Sequence, residues 1–458
     1  MPPTRLLLAL LAASAGAGWV RGATIPAELF DPGFLAGDSN YHSLTAASDG
    51  NLYFTIGTHH ADESARIYRF EPGREEITEL ARINDVLGQD PAAVYPHGKI
   101  HTPLIEHEGS LYFATHTSLY DGSLPDLVPE DDREPYPGGH FMRYDLASGH
   151  FESLARLPLP SEGIITLALD PVRGRLLGLT WPSGLLFALD LESRRLLHYG
   201  AVQGRGEWGQ LGNDWDFICR RLGVDPTGGI YGSTNDGRLW SFEAAEQRPV
   251  TYLEGLRLDT VPAVAEADFR VLPEPHHFWR NWRTILWNPA TASFWGLHGG
   301  STQIFEFDPA ARSLRSVASL RASGVSDGRR NPFRTQLGFM LGPENTLFYL
   351  AHGSALERPG RPTPKANVYL LTYDIETGTV RDHGPVLGPD DRRVFFTESL
   401  ELGPDGHLYT VAWVETLDPA RKAAVQDARG DALPAETREV IYEIQLVRLP
   451  PVDRFLHP

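Results

Sequence analysis

Apolar and polar residues alternate through most of the chain in short runs, and Asp, Asn, Gly and Pro interrupt them at close intervals. Alternation with a period of two marks strands with one buried face, and the interruptions mark tight turns. One unit of this pattern recurs. It holds a short apolar strand, an Asp-Gly-like turn, a second strand rich in Leu, Tyr and Phe, and a third strand ending in an acidic turn. Copies read SLTAASDGNLYFTIG from Ser43, TPLIEHEGSLYFATH from Thr102, TLALDPVRGRLLGLTW from Thr166 and RLGVDPTGGIYGSTN from Arg221. Three more are TILWNPATASFWGLH from Thr284, QLGFMLGPENTLFYLAH from Gln336 and SLELGPDGHLYTVAW from Ser399. Their turn residues lie 52 to 65 residues apart.

Weaker fourth strands, such as ITELARI and LRSVASL, follow every copy but the last. Four strands repeated seven times predict an all-β fold, a seven-bladed β-propeller with four-stranded blades. The segment Glu28 to Ala36 is expected to supply the missing strand beside Val440 to Val447 and close the ring, because an open seam exposes unpaired edges.

With strands labelled A to D from the axis outward, A–B and C–D turns share one face and B–C and D–A connections share the other. The long connections are all of the second kind, among them Thr117 to Gly139, Gly200 to Phe217, Gly255 to Trp282 and Val414 to Glu439. Long ordered loops in compact domains are usually functional. The same face receives the starts of A strands, with His42, His101, Arg220, Arg221, Arg283 and Arg334. It also receives the ends of B strands, with His59, His60, His116, Asn235, His298, His352, Trp181 and Trp413. His140 begins a C strand, and His97, His276 and His277 lie in D–A loops. Eleven of the 17 histidines thus fall on one face.

The 45 Gly and 36 Pro residues suit a fold of many turns, and 41% hydrophobic residues supply a core. A net charge of −18 excludes general nucleic-acid binding, which needs clustered Lys and Arg. One cysteine, Cys219, excludes an intrachain disulfide. Arg5, the apolar run Leu6 to Ala17, and Val20 and Gly22 before Ala23 read as a signal peptide over residues 1–22. The run is too short for a membrane span, and no later stretch forms one. The expectation is a secreted or periplasmic protein whose residues 23–458 form one domain.

Arg and His on one face of an acidic, exported protein suit an anionic ligand, a carboxylated or sulfated oligosaccharide or polysaccharide. Arg grips such groups with a planar fork, and His titrates near neutrality. His42, His59, His140, Trp181, Asn235, Arg283, His298 and His352 are the expected binding residues, with Trp available to stack on sugar rings. No cofactor is implied. A divalent metal stays open, but no HExxH, CxxC or EF-hand spacing supports it. Cys219 reads as a small buried residue. GRGEWG from Gly204 and GVSDG from Gly324 match glycine motifs in spacing, yet neither lies between a strand and a helix.

The run PHGKIHTPLIEHEGSLYFATHTS from Pro96, followed by YPGGHFMRYDLASG from Tyr136, resembles the seven-bladed propeller polysaccharide lyases that act on ulvan. The resemblance implies β-elimination at a uronic acid, with Arg, His and Tyr dividing three tasks: neutralising the carboxylate, removing the C5 proton and protonating the leaving oxygen. His101 of KIHT or His116 of FATH would be the base. Arg220 or Arg221 would neutralise the carboxylate, with pleat alternation aiming only one of them at the pocket. Tyr120 would be the acid, and Trp181 departs from the family by standing where a Tyr would serve. Two other readings remain: a non-catalytic propeller binding a ligand or partner protein, and a metal-dependent lactonase-like hydrolase, for which Glu398 alone supplies too few carboxylates.

Overall fold

The computed structural model describes residues 24–118, 131–204, 206, 218–242, 250–258, 280–299, 301–322, 336–364, 366–430 and 440–457. The signal segment, Tyr120, His276, His277, Arg334 and the GVSDG run lie outside them. Seven antiparallel sheets follow one another along the chain as the blades of a β-propeller. They span residues 44–82, 105–156, 163–201, 223–257, 282–319, 339–387 and 394–451, here blades 1 to 7.

Local chemistry explains the turns. Strands C end in Asp145, Asp190, Asp308 and Asp374, and each carboxylate accepts the backbone N–H three residues on, at 2.9–3.0 Å. The A–B turns use the same device: Asp225 accepts from the N–H groups of Thr227 and Gly229, and Asn288 from that of Ala290. Such Asx turns let a short side chain replace a missing ladder bond. Gly228 completes one turn at φ +83°, a conformation that disfavours any side chain.

The ring closes as expected, with an addition. Glu28–Phe30 pairs antiparallel with Leu446 to Arg448 and supplies the outer strand of blade 7. The rest of the expected strand is not paired; Phe34 and Ala36 instead pack into the core beside blades 1 and 7. Just upstream, Ile25–Pro26 runs parallel to the outer strand of blade 6, a fifth strand that the repeat pattern did not reveal. One short segment thus ties the last two blades together.

The core lies between neighbouring blades. Trp181, Trp240 and Trp282 of blades 3, 4 and 5 are fully buried in one cluster with Phe294, Phe305 and Phe307. Gly232 admits the Trp240 ring, which would lie 2.0 Å from any Cβ placed there. Cys219 joins this cluster, and burial raises its thiol pKa, as expected of a packing residue. Among the described residues, the two helices of five residues or more, Ile83–Leu87 and Pro419–Arg429, sit within loop-face connections.

Candidate active site

The loop-rich end of the axis carries a buried polar layer built from several blades. His42 precedes strand A of blade 1. Its backbone N–H donates to the Glu398 carbonyl at 3.0 Å, and its Nε2–H donates to the His101 carbonyl at 2.7 Å. These bonds hold it at φ +37°, uncommon for a residue with a side chain. In blade 2, Lys99 and His116 exchange backbone hydrogen bonds at 2.8 and 3.1 Å. That bridge brings the approach to strand A against the end of strand B and stacks His101 on His116, with ring centres 4.7 Å apart. Tyr41 stacks on His101 at 4.1 Å, and Trp181 abuts His116 at 5.0 Å.

Two arginines reach this layer from the far side of the ring. Arg220 of blade 4 donates from Nη1 to His101 Nδ1 at 2.9 Å. Arg283 of blade 5 pairs with Glu398 of blade 7 at 2.5 Å. Glu398 sits in a break in the inner strand of blade 7, between Val394–Thr397 and Glu401–Leu402, and also accepts the Leu337 N–H at 2.6 Å. A third connection runs to the rim. Lys99 donates to His59 Nε2 at 2.7 Å, and His59 Nδ1–H donates to Asp38 at 2.9 Å.

These bonds fix proton positions. An arginine can only donate, so His101 Nδ1 accepts and its proton sits on Nε2. A carbonyl can only accept, and His116 Nδ1 lies 3.2 Å from the Thr117 carbonyl, so the His116 lone pair sits on Nε2. The stacked pair therefore holds opposite tautomers. Burial pushes the pKa of His42, His101 and His116 well below the ordinary value, and the surrounding Arg, Lys and His groups push it further. Burial, then Arg283, takes His352 down to about 3. The imidazoles are neutral at pH 7 in a layer whose fixed charges include Arg220, Arg283 and Lys99.

His42, His101, His116, Arg220 and Arg283 thus converge as the sequence led one to expect. His59 joins through Lys99, and His352 through Gln336 at 3.2 Å. Of Arg220 and Arg221 only one joins the layer, as expected, although pleat alternation is not the reason. Residues 218–222 precede the strand Gly223–Val224, so Arg220 reaches His101 while Arg221 lines the axial cavity beneath. His140 lies apart, bonded to Ser153 at 2.7 Å and packed against His97, which in turn contacts Tyr136. Trp181 is fully buried and supports His116 rather than facing solvent. His298 faces Trp282 across blade 5 and contacts Ser301, and Asn235 is buried at the end of strand B in blade 4. Lys99 and Asp38 were missed, although Lys99 stands two residues before His101. Among the described residues, no group of three or more His, Cys, Asp or Glu side chains is placed to hold a metal.

No protein-family model matches the chain, and no curated protein matches its sequence. Solved structures match its fold. A protein from Lactobacillus plantarum has a TM-score of 0.51 at 9% identity, over 88% of this chain and 99% of that one. Virginiamycin B lyase from Staphylococcus aureus scores 0.49 at 10% identity, over 93% and 98%. A candidate 6-phosphogluconolactonase from Bacteroides fragilis scores 0.48 at 13% identity, over 88% and 99%. The class so defined is the seven-bladed β-propeller. At these identities the likeness is one of fold, and none of these comparisons singles out the ulvan lyases.

Proposed function

We propose that this protein is a polysaccharide lyase that cleaves a uronic-acid polymer, ulvan among the candidates, by β-elimination. The observation that carries this reading is the stacked His101–His116 pair, held in opposite tautomers beside Arg220. A uronate carboxylate entering the layer meets Arg220 and Lys99, and its negative charge raises the basicity of the neighbouring imidazoles. His116 Nε2 takes the C5 proton. The electrons left on C5 delocalise into the carboxylate, where Arg220 and the His101 Nε2–H stabilise the developing dianion. A neutral imidazole is the suitable donor here, because it polarises the oxygen without surrendering its proton. The C4–O bond then breaks as the C4=C5 bond forms, and the leaving oxygen takes a proton from Tyr120, the hydroxyl the sequence supplies four residues after His116. The test is absorbance near the unsaturated uronate band during incubation with a panel of uronic polysaccharides, ulvan included. Rising absorbance supports the reading. A flat trace on every polymer, with retained binding, makes the protein a carbohydrate-binding propeller.

A further inference from the structure

The polar layer is withdrawn from bulk water: Lys99, His101 and His116 are 1%, 2% and 0% exposed. Elimination as read above leaves the C5 proton on His116, and that proton must depart before the next turnover. A hydrogen-bonded chain leads outward from the layer. Lys99 Nζ donates to His59 Nε2 at 2.7 Å, and His59 Nδ1–H donates to Asp38 at 2.9 Å. His59 stands at the rim with its side chain 35% exposed.

The inner end of this chain sits beside the base. Lys99 and His116 form a hydrogen-bonded antiparallel pair, so their side chains leave the same face with Cβ atoms about 5 Å apart. Of the charges around His116, that of Lys99 weighs most on its pKa. The Lys99 stem passes over Gly57, where a Cβ would lie 3.2 Å from Lys99 Cγ. The outer end is held in place. Asp38 accepts from both the backbone N–H and the ring of His59, at 3.0 and 2.9 Å, which turns Nε2 toward Lys99. The Asp38 carbonyl in turn accepts the Trp413 indole N–H at 2.8 Å, and Arg429 donates to the carbonyl of Gly37. A carboxylate behind one imidazole nitrogen stabilises the imidazolium that forms when the other nitrogen takes a proton. Lysine, unlike arginine, can give its proton up when buried.

We propose that Lys99, His59 and Asp38 form a proton relay that returns His116 to its neutral state after each elimination. The relay rests on the lyase reading. His116 Nε2 passes its proton to Lys99 Nζ as Lys99 passes one to His59 Nε2, and the His59 imidazolium releases it to water at the rim. One proton moves from His116 to solvent, and Lys99 and His59 end as they began. Asp38 keeps its charge throughout and holds the His59 ring in line.

The test is stopped-flow and steady-state absorbance on the uronic polymer panel, with the full-length protein. His59→Gln keeps an acceptor for Lys99 but cannot carry a proton. Its first turnover and its kcat/KM should match wild type, because both precede the reset, while kcat should fall on the order of tenfold or more. His59→Ala should show the same split, and added imidazole, which can occupy the vacated place, should restore kcat. A residue that merely supported the fold would lower kcat/KM as well and would gain nothing from imidazole. Unchanged kcat in both variants overturns the relay, as does a loss shared equally by kcat/KM or a His59→Ala deficit that imidazole leaves untouched. With an active wild type, those results overturn the relay alone. A flat wild-type trace on every polymer overturns the lyase reading and the relay with it.

Discussion

Arg220 and His101 meet across the width of a blade: the guanidinium comes from blade 4, the imidazole from blade 2, and they join at 2.9 Å. The contact does two things. It positions a cation where a carboxylate would bind, and it assigns the His101 proton to Nε2. Arg220→Lys keeps the charge but loses the planar fork. It should raise KM and lower kcat, with a loss in kcat/KM on the order of 100-fold, since the group acts on both the ground-state carboxylate and the developing dianion. Steady-state absorbance kinetics on a cleaved uronic polymer read both constants. Unchanged kinetics would remove Arg220 from the site.

His116→Ala should differ in kind. A base acts chiefly in the transition state, so kcat should fall on the order of 100-fold or more with little change in KM. His101→Gln retains an N–H donor and should keep more activity than His101→Ala. Equal loss in both would leave His101 without a donor role.

Asp38 sets the rim of the site and part of its stability. Burial by itself would raise its pKa, but His59, Lys99 and Arg429 outweigh this and hold it at about 2, below its ordinary 3.8. A carboxyl with a depressed folded-state value adds stability above the unfolded value and loses it as pH falls through the folded one. That contribution is therefore full near pH 7 and disappears between about pH 4 and pH 2. Asp38→Asn should lower stability at pH 7 by about 3 kcal/mol, with the difference from wild type shrinking below pH 4. Urea unfolding at both pH values measures this; a difference independent of pH would mean that Asp38 acts by packing alone.

Ring closure rests on a few N-terminal residues. Ile25, paired with Val386 and 2% exposed, packs into the cluster between blades 6 and 7. Ile25→Ala should cost about 2–4 kcal/mol, the usual range for emptying such a site. Deleting residues 24–30 should expose the outer edges of both blades and promote association, visible by light scattering. A deletion variant that stays monomeric with an unchanged melting temperature would show that the N-terminal strands do not close the ring.

Sequence alone determined the blade count, the strand order and the closing strand, because period-two alternation and Asx-turn residues are local and recur with each blade. It also placed His42, His101, His116 and Arg283 at one end of the axis, since the starts of A strands and the ends of B strands must share a face. It could not say which of Arg220 and Arg221 would reach the layer, because residues 218–222 are irregular and pleat alternation stops applying there. Nor could it pair Arg283 with Glu398 or Arg220 with His101, which lie 115 and 119 residues apart. Those contacts depend on how far long side chains reach across the axis once the ring has closed. The same closure fixed the two tautomers and joined Lys99 to Asp38 through His59, because a proton's position follows from which partner each nitrogen meets, and only the tertiary structure supplies the partner.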